Sequence, residues 1–173
     1  MEPRPLSTTE FGAFTAGLDY PMFVVTTTDG TERSGCLVGF TTQTSIDPPR
    51  FLACLSNKNH TFRVASGADL LAVHALAADQ HELAELFGGE TGDEVDKFAR
   101  CAWTAGPGGV PLLEGCPRHL VGRVLDRLPL GDHVGFLLEP VEAEARPRAR
   151  GGRAPSPALT LDDVDHVEPG HEA

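Results

Sequence analysis

The sequence predicts a mainly β protein, built as an antiparallel barrel with one or two flanking helices. Three observations carry this. Runs rich in β-branched and aromatic residues recur along the chain, short turns containing Gly, Pro or Asp separate them, and helical periodicity is confined to a few brief stretches. Closing the sheet on itself is the economical way to satisfy so many strands, because closure removes exposed edges. The 173 residues suffice for one domain with a real core and are too few for two ordinary ones.

The elements follow in order. Met22-Phe23-Val24-Val25-Thr26-Thr27-Thr28 reads as a strand ending at Asp29-Gly30, a hairpin signal, and the returning strand spans residues 32–40. A polar loop then leads through Pro48-Pro49 into the apolar strand Phe51-Leu52-Ala53-Cys54-Leu55. Asn57 is a candidate cap for a short helix running to about Ala65. The continuous apolar run Leu70-Leu71-Ala72-Val73-His74-Ala75-Leu76 reads as a buried strand. A clearer helix follows, with Asp79 three residues before Glu82 in capping-box spacing, one apolar face from Leu83, Leu86 and Phe87, and Gly88-Gly89 as the stop. A helical piece over residues 95–100, Trp103 and a Gly-rich turn precede strands at 110–113, 119–128 and 133–144. The barrel thus spans residues 1–145. Residues 146–158, rich in Arg, Pro and Gly, have linker composition, and the tail 159–173 is a candidate to dock back on the barrel as a final strand or turn.

Composition narrows the function. Fourteen basic against twenty-five acidic residues give a net charge of -11, which repels a phosphate backbone and argues against a nucleic-acid partner. No apolar window approaches membrane-spanning length and none of signal-peptide length follows Met1, so a cytoplasmic location is expected, with no membrane partner. In that compartment Cys36, Cys54, Cys101 and Cys116, widely spaced and without a CxxC pair, read as buried free thiols.

Two polar segments flank the strand at 51–55. The first is Val38, Gly39, Phe40, Thr41, Thr42, Gln43, Thr44 and Ser45, whose hydroxyls, amides and backbone N–H groups suit the edge of a planar polar heterocycle. The second is Ser56, Asn57, Lys58, Asn59, His60 and Thr61, which combines a cation, amides, hydroxyls and a helix N-terminus, as a phosphate monoester requires. Read alone, the first is equally an edge loop bonding its own backbone, and the second an ordinary capped helix. His133 follows the tight turn Gly131-Asp132 and opens an apolar strand, a position where a structural role is the ordinary reading.

Taken together, the Thr/Ser segment leading into Asp47-Pro48-Pro49, the segment 56–61, Asp96-Lys97-Phe98 and Gly131-Asp132-His133 resemble the flavin reductase-like, FMN-binding split-barrel family. Members include the small reductase component of two-component flavin monooxygenases. The resemblance covers residues from about 11 to about 141. It implies an antiparallel Greek-key split β-barrel, a homodimer, and an enzyme that moves a hydride from NADH or NADPH to FMN, or to FAD, and supplies reduced flavin to a monooxygenase partner. It also implies that residues 38–45 meet the isoalloxazine edge and ribityl chain, that residues 56–61 meet the phosphate, and that His133 is the catalytic-site residue, orienting the cofactors or stabilising charge as the hydride arrives. One departure is plain: many relatives carry Ser-Ser-Phe-Thr where this chain reads Gly39-Phe40-Thr41-Thr42. The rival from another class is a non-catalytic flavin-binding or partner-docking barrel, and a haem-binding barrel is a third alternative.

Other signals are weaker. His81-Glu82-Leu83-Ala84-Glu85 lacks the second His of a zinc-protease helix, so no metal site is expected. Neither GxGxxG after a strand nor GxxxxGK[ST] occurs, so a nicotinamide cosubstrate would bind without a Rossmann unit.

Overall fold

The computed structural model describes residues 3–116, 118–145 and 157–170. Its centre is a seven-stranded antiparallel sheet formed by β1 (Phe23–Thr28), β2 (Arg33–Val38), β3 (Thr41–Ser45), β4 (Arg50–Ser56), β5 (Leu70–Ala75), β8 (Arg118–Pro129) and β9 (His133–Ala145). The order β2-β1-β5-β8-β9-β4-β3 leaves β2 and β3 as edges, so the curled sheet is split along the line between them. A separate hairpin of β6 (Trp103–Ala105) and β7 (Pro111–Leu113) packs against β1 and β5.

Alternation of side chains fixes what each strand buries. Val25, Leu55, Leu71, Phe136 and Leu138 fill the barrel interior. A second cluster, with Met22, Leu76, Phe87, Phe98, Leu159 and Val164, joins the sheet to helix α3 (His81–Gly89) and to the C-terminal segment. Within this core Lys97 is buried, its Nζ donating to the carbonyls of Gly35 and Phe87 at 3.2 Å each, and burial lowers its pKa. The Asp96-Lys97-Phe98 segment is thereby a structural rivet, with the Asp96 side chain capping Phe98 N–H at 3.0 Å.

Several local expectations are corrected. Residues 41–45 form an edge strand rather than a loop. Their threonines favour extended backbone, and the segment stays polar because its side chains are largely solvated. Asn59, not Asn57, caps α2 (His60–Ser66), accepting Thr61 N–H at 2.9 Å, while Asn57 N–H is committed to the Asp132 carbonyl at 2.9 Å. Helix α3 begins after Gln80 without a side-chain cap. The Gln80 amide instead ties Ala77 N–H (2.8 Å) to the Gly115 carbonyl (3.0 Å). The helical piece near residue 97 is a single 3-10 turn, Lys97–Ala99. An N-terminal helix, α1 (Thr8–Thr15), was not anticipated. The linker at 146–158 lies almost wholly outside the described residues. Beyond it Leu159 is fully buried, and its main chain bridges the ends of β1 and β5: Met22 N–H donates to Leu159 O at 2.8 Å and Leu159 N–H to Leu76 O at 3.0 Å.

Candidate functional site

The two polar segments and the Gly-Asp-His turn converge because of strand register. In the β4–β9 ladder Ser56 lies opposite His133. The turn is closed by Leu130 N–H donating to the His133 carbonyl at 2.9 Å, with Gly131 at φ +107°, a conformation a side chain would strain. Across the split, Phe40 leaves the end of β2 and sets its ring 5.1 Å from the His133 ring, with Tyr20 edge-on behind it at 6.3 Å.

These residues enclose a cavity of about 450 Å³. One side is polar: Ser56, Lys58, Asn59, Asp132 and His133. Much of the remaining wall is apolar, with Leu37, Val38 and Phe87 together with Leu161, Val164 and Val167 of the C-terminal segment. A polar cluster within an otherwise largely apolar lining suits a flat heterocycle whose hydrogen-bonding groups lie on its rim, as those of a flavin do.

The electrostatics favour defined roles. His133 Nδ1 is 2.7 Å from the Asp132 carboxylate, and this hydrogen bond holds Asp132 below the usual carboxylate range. With Nδ1–H donated to Asp132, Nε2 is the ring atom left to meet a ligand. Ser56 Oγ accepts the Lys58 N–H at 3.4 Å, which folds the loop back over the end of β4. Cys36 also lines the cavity, and burial pushes its thiol up to about 11, so it remains protonated and unreactive.

Of the residues singled out from sequence, Val38, Gly39, Phe40, Ser56, Lys58, Asn59 and His133 line this one cavity. Thr41, Thr42, Gln43, Thr44 and Ser45 run along the adjacent edge strand, and Asn57 sits in the turn, none of them on the cavity wall. His60 and Thr61 are engaged elsewhere. His60 lies between Glu32 (Nε2, 2.7 Å) and Asp93 (Nδ1, 2.8 Å), with Arg63 paired to the same Asp93, and Thr61 Oγ1 meets Ser34 Oγ at 2.9 Å in the interior. Arg63 first, then His60, holds Asp93 well below its ordinary range. The C-terminal wall escaped sequence reading. Its only trace is the spacing of Leu161, Val164 and Val167 by threes within an acidic stretch.

A larger cavity, about 680 Å³, opens between the β1–β2 hairpin and residues 92–109. It contains none of the residues singled out for a ligand, and the carboxylates on its walls, Glu32, Asp93, Glu94 and Asp96, outnumber the cations Arg33 and Lys97, a poor setting for a phosphate. The smaller cavity is therefore the candidate site. Among the described residues no group of His, Cys, Asp and Glu is arranged to hold a metal ion.

Comparison with known proteins bears on the fold and the family. The chain is 32% identical over 128 residues to an FMN reductase (NADH), RutF, of Klebsiella pneumoniae, covering 73% of this chain and 77% of that one. It is 27% identical over 140 residues to the 4-hydroxyphenylacetate 3-monooxygenase reductase component of Pseudomonas aeruginosa, covering 80% and 81%. The solved structure of an FMN-binding protein from Thermus thermophilus superposes with a TM-score of 0.76 at 26% identity, over 92% of this chain and 88% of that one. The model of the flavin reductase like domain matches residues 15–163, and the chain belongs to that family.

Proposed function

We propose that this chain is an NAD(P)H-dependent flavin reductase that uses FMN, acts as a cytoplasmic homodimer and delivers reduced flavin to a monooxygenase. The observation that carries the reading is the convergence of Ser56, Lys58 and His133 on one cavity whose lining is otherwise largely apolar. Membership of the flavin reductase like domain family supports it, as do relatives named FMN reductase and monooxygenase reductase component. Among the described residues no helix is long and apolar enough to cross a membrane.

A bound flavin supplies the hydride acceptor, a chemistry no side chain here provides. The chain's own contribution is binding and orientation. Lys58 neutralises the phosphate of the mononucleotide, while Ser56 and Asn59 offer hydrogen bonds beside it. Phe87, Leu161 and Val164 keep water from the apolar part of the lining. His133, aimed by Asp132 through Nδ1, would have Nε2 available to a ligand in the cavity, and no protein base is needed for the transfer itself.

The test is the visible spectrum of the purified protein titrated with FMN, followed by NADH or NADPH under nitrogen. Saturable FMN binding and bleaching by nicotinamide are expected. FMN that binds yet stays yellow would instead favour the non-catalytic flavin-binding reading, and absence of FMN binding would remove both.

A further inference from the structure

The N-terminal helix has no place on its own protomer. Helix α1 is defined by a full capping box: Ser7 Oγ accepts Glu10 N–H, the Glu10 carboxylate accepts Ser7 N–H at 2.9 Å, and Arg4 pairs with Glu10 at 2.6 Å. Yet none of its residues is buried, and its polar and ring contacts among the described residues stay within residues 4–18. Phe11 and Phe14 lie on one face with rings 6.1 Å apart, 55% and 72% exposed, flanked by Leu6 at 59% and Leu18 at 42%. An isolated helix of this length is marginal in water, so a sequence that caps it and arms it with aromatics implies a docked state.

The same chain carries a matching recess. A groove of about 510 Å³ opens where Phe23, Phe51, Ala75, Leu120 and Ala143 line the sheet, a predominantly apolar wall that also includes Arg118, His119 and Glu144. Pro21 stands on the edge of that groove, so α1 leaves the barrel beside it through the short segment 16–20. Ala145 and Ala158 also line the groove, and the sequence between them over 146–156 contains no large apolar residue.

We propose that α1 of one protomer seats Phe11 and Phe14 in this groove of a second copy of the chain, and that the exchange is reciprocal. Each copy brings one aromatic helix and one apolar groove, so a two-fold axis satisfies both at once and closes the assembly. The mode is a helix in a groove with anchors three residues apart. This goes beyond the flavin reading and rests only on the homodimer proposed above.

Sedimentation of the full chain tests it. The parent protein is expected at about twice its 18.4 kDa. Phe11→Asp/Phe14→Asp should sediment as a monomer with the parent's β-sheet circular dichroism signal and melting temperature, since α1 contributes nothing to the protomer core. Ala143→Arg, or Ala145→Arg should that variant not fold, should block the groove and give a monomer too. An equimolar mixture of the helix variant and the groove variant should recover dimer, because it restores one intact helix-groove pair. A monomeric parent, a helix variant that remains dimeric, or two monomeric variants that fail to complement would each overturn the exchange. FMN titration of the same samples reads the flavin assignment separately, since a dimer that binds no flavin leaves the exchange standing.

Discussion

Ser56 and His133 face one another as cross-strand partners in the β4–β9 ladder. The start of the second polar segment and the end of the Gly131-Asp132-His133 turn are thus fixed by backbone register, on two paired strands, and not by the chance approach of two loops. A site built on strands holds its geometry when a ligand leaves, which suits a protein that must accept a flavin, a nicotinamide or both in turn.

That register predicts how His133→Ala behaves. The remaining walls of the cavity persist, so flavin occupancy should be retained while the anaerobic reduction rate falls or the apparent Michaelis constant for nicotinamide rises. Single-turnover reduction at matched flavin occupancy checks this. An unchanged rate at every nicotinamide concentration would remove His133 from the site, and a joint loss of thermal stability and flavin occupancy would make it a structural residue of the turn. Asp132→Asn should shift the same constants in the same direction, because Asp132 aims the ring through its 2.7 Å bond to Nδ1.

Lys58 is the cation on the cavity wall. Lys58→Ala should therefore weaken FMN more than riboflavin, which shares the ring and lacks the phosphate. A lost charge-assisted hydrogen bond is worth roughly 1.5–3 kcal/mol, or about ten- to a hundredfold in dissociation constant. Parallel flavin titrations measure the ratio, and equal weakening of both ligands would contradict a phosphate role.

The parts of this fold that were legible in sequence are those whose burial imposes a pattern. Met22 to Thr28 and Leu70 to Leu76 read as strands because both faces are covered, and α3 showed its apolar face of Leu83, Leu86 and Phe87, of which Leu86 and Phe87 are buried together with Ala84 while Leu83 is only partly covered. Strand β3 was illegible as a strand because its side chains are solvated and its polar composition mimics a turn. Helix α1 left only the pair Ser7 and Glu10 as a signal, since it has no stripe packed on its own core. Of the residues lining the candidate cavity, Ser56, Lys58 and His133 belong to segments singled out from the sequence. The fate of His60 was not, because its partners Glu32 and Asp93 lie far along the chain in either direction and only the tertiary fold gathers them.

A buried histidine predicts acid sensitivity. His74 is fully buried, with Nδ1 3.1 Å from the Val24 carbonyl and Nε2 accepting Leu113 N–H at 3.1 Å, so the ring is neutral with its proton on Nδ1. Burial first, opposed by the Val24 bond and assisted by nearby His119, lowers its pKa from 6.5 to about 4. The unfolded chain then binds a proton that the folded one refuses. Stability is complete above about pH 6.5, declines as pH falls, and has lost this contribution, about 3 kcal/mol, once pH is below about 4. Urea midpoints at about pH 7 and about pH 4.5 should differ less in His74→Gln than in the parent. An identical difference in the two proteins would assign the acid lability to other groups.

Leu159 tests whether the C-terminal segment belongs to the fold and to the site. Its side chain is fully buried against Met22, Leu76 and Val164, and its main chain bridges the ends of β1 and β5. Removing most of that side chain should cost about 2–5 kcal/mol, the range for a buried Leu→Ala with incomplete collapse of the cavity. The residues it anchors, Leu161, Val164 and Val167, form one wall of the candidate cavity, so Leu159→Ala should also weaken FMN binding without touching the ligand. Leu161→Ala separates the two effects. That side chain is 38% exposed, so its truncation should leave the melting temperature close to the parent's while loosening FMN. Thermal melts and flavin titrations of both variants provide the comparison. A Leu159→Ala protein within about 0.5 kcal/mol of the parent, with unaltered flavin affinity, would detach the segment from both fold and site.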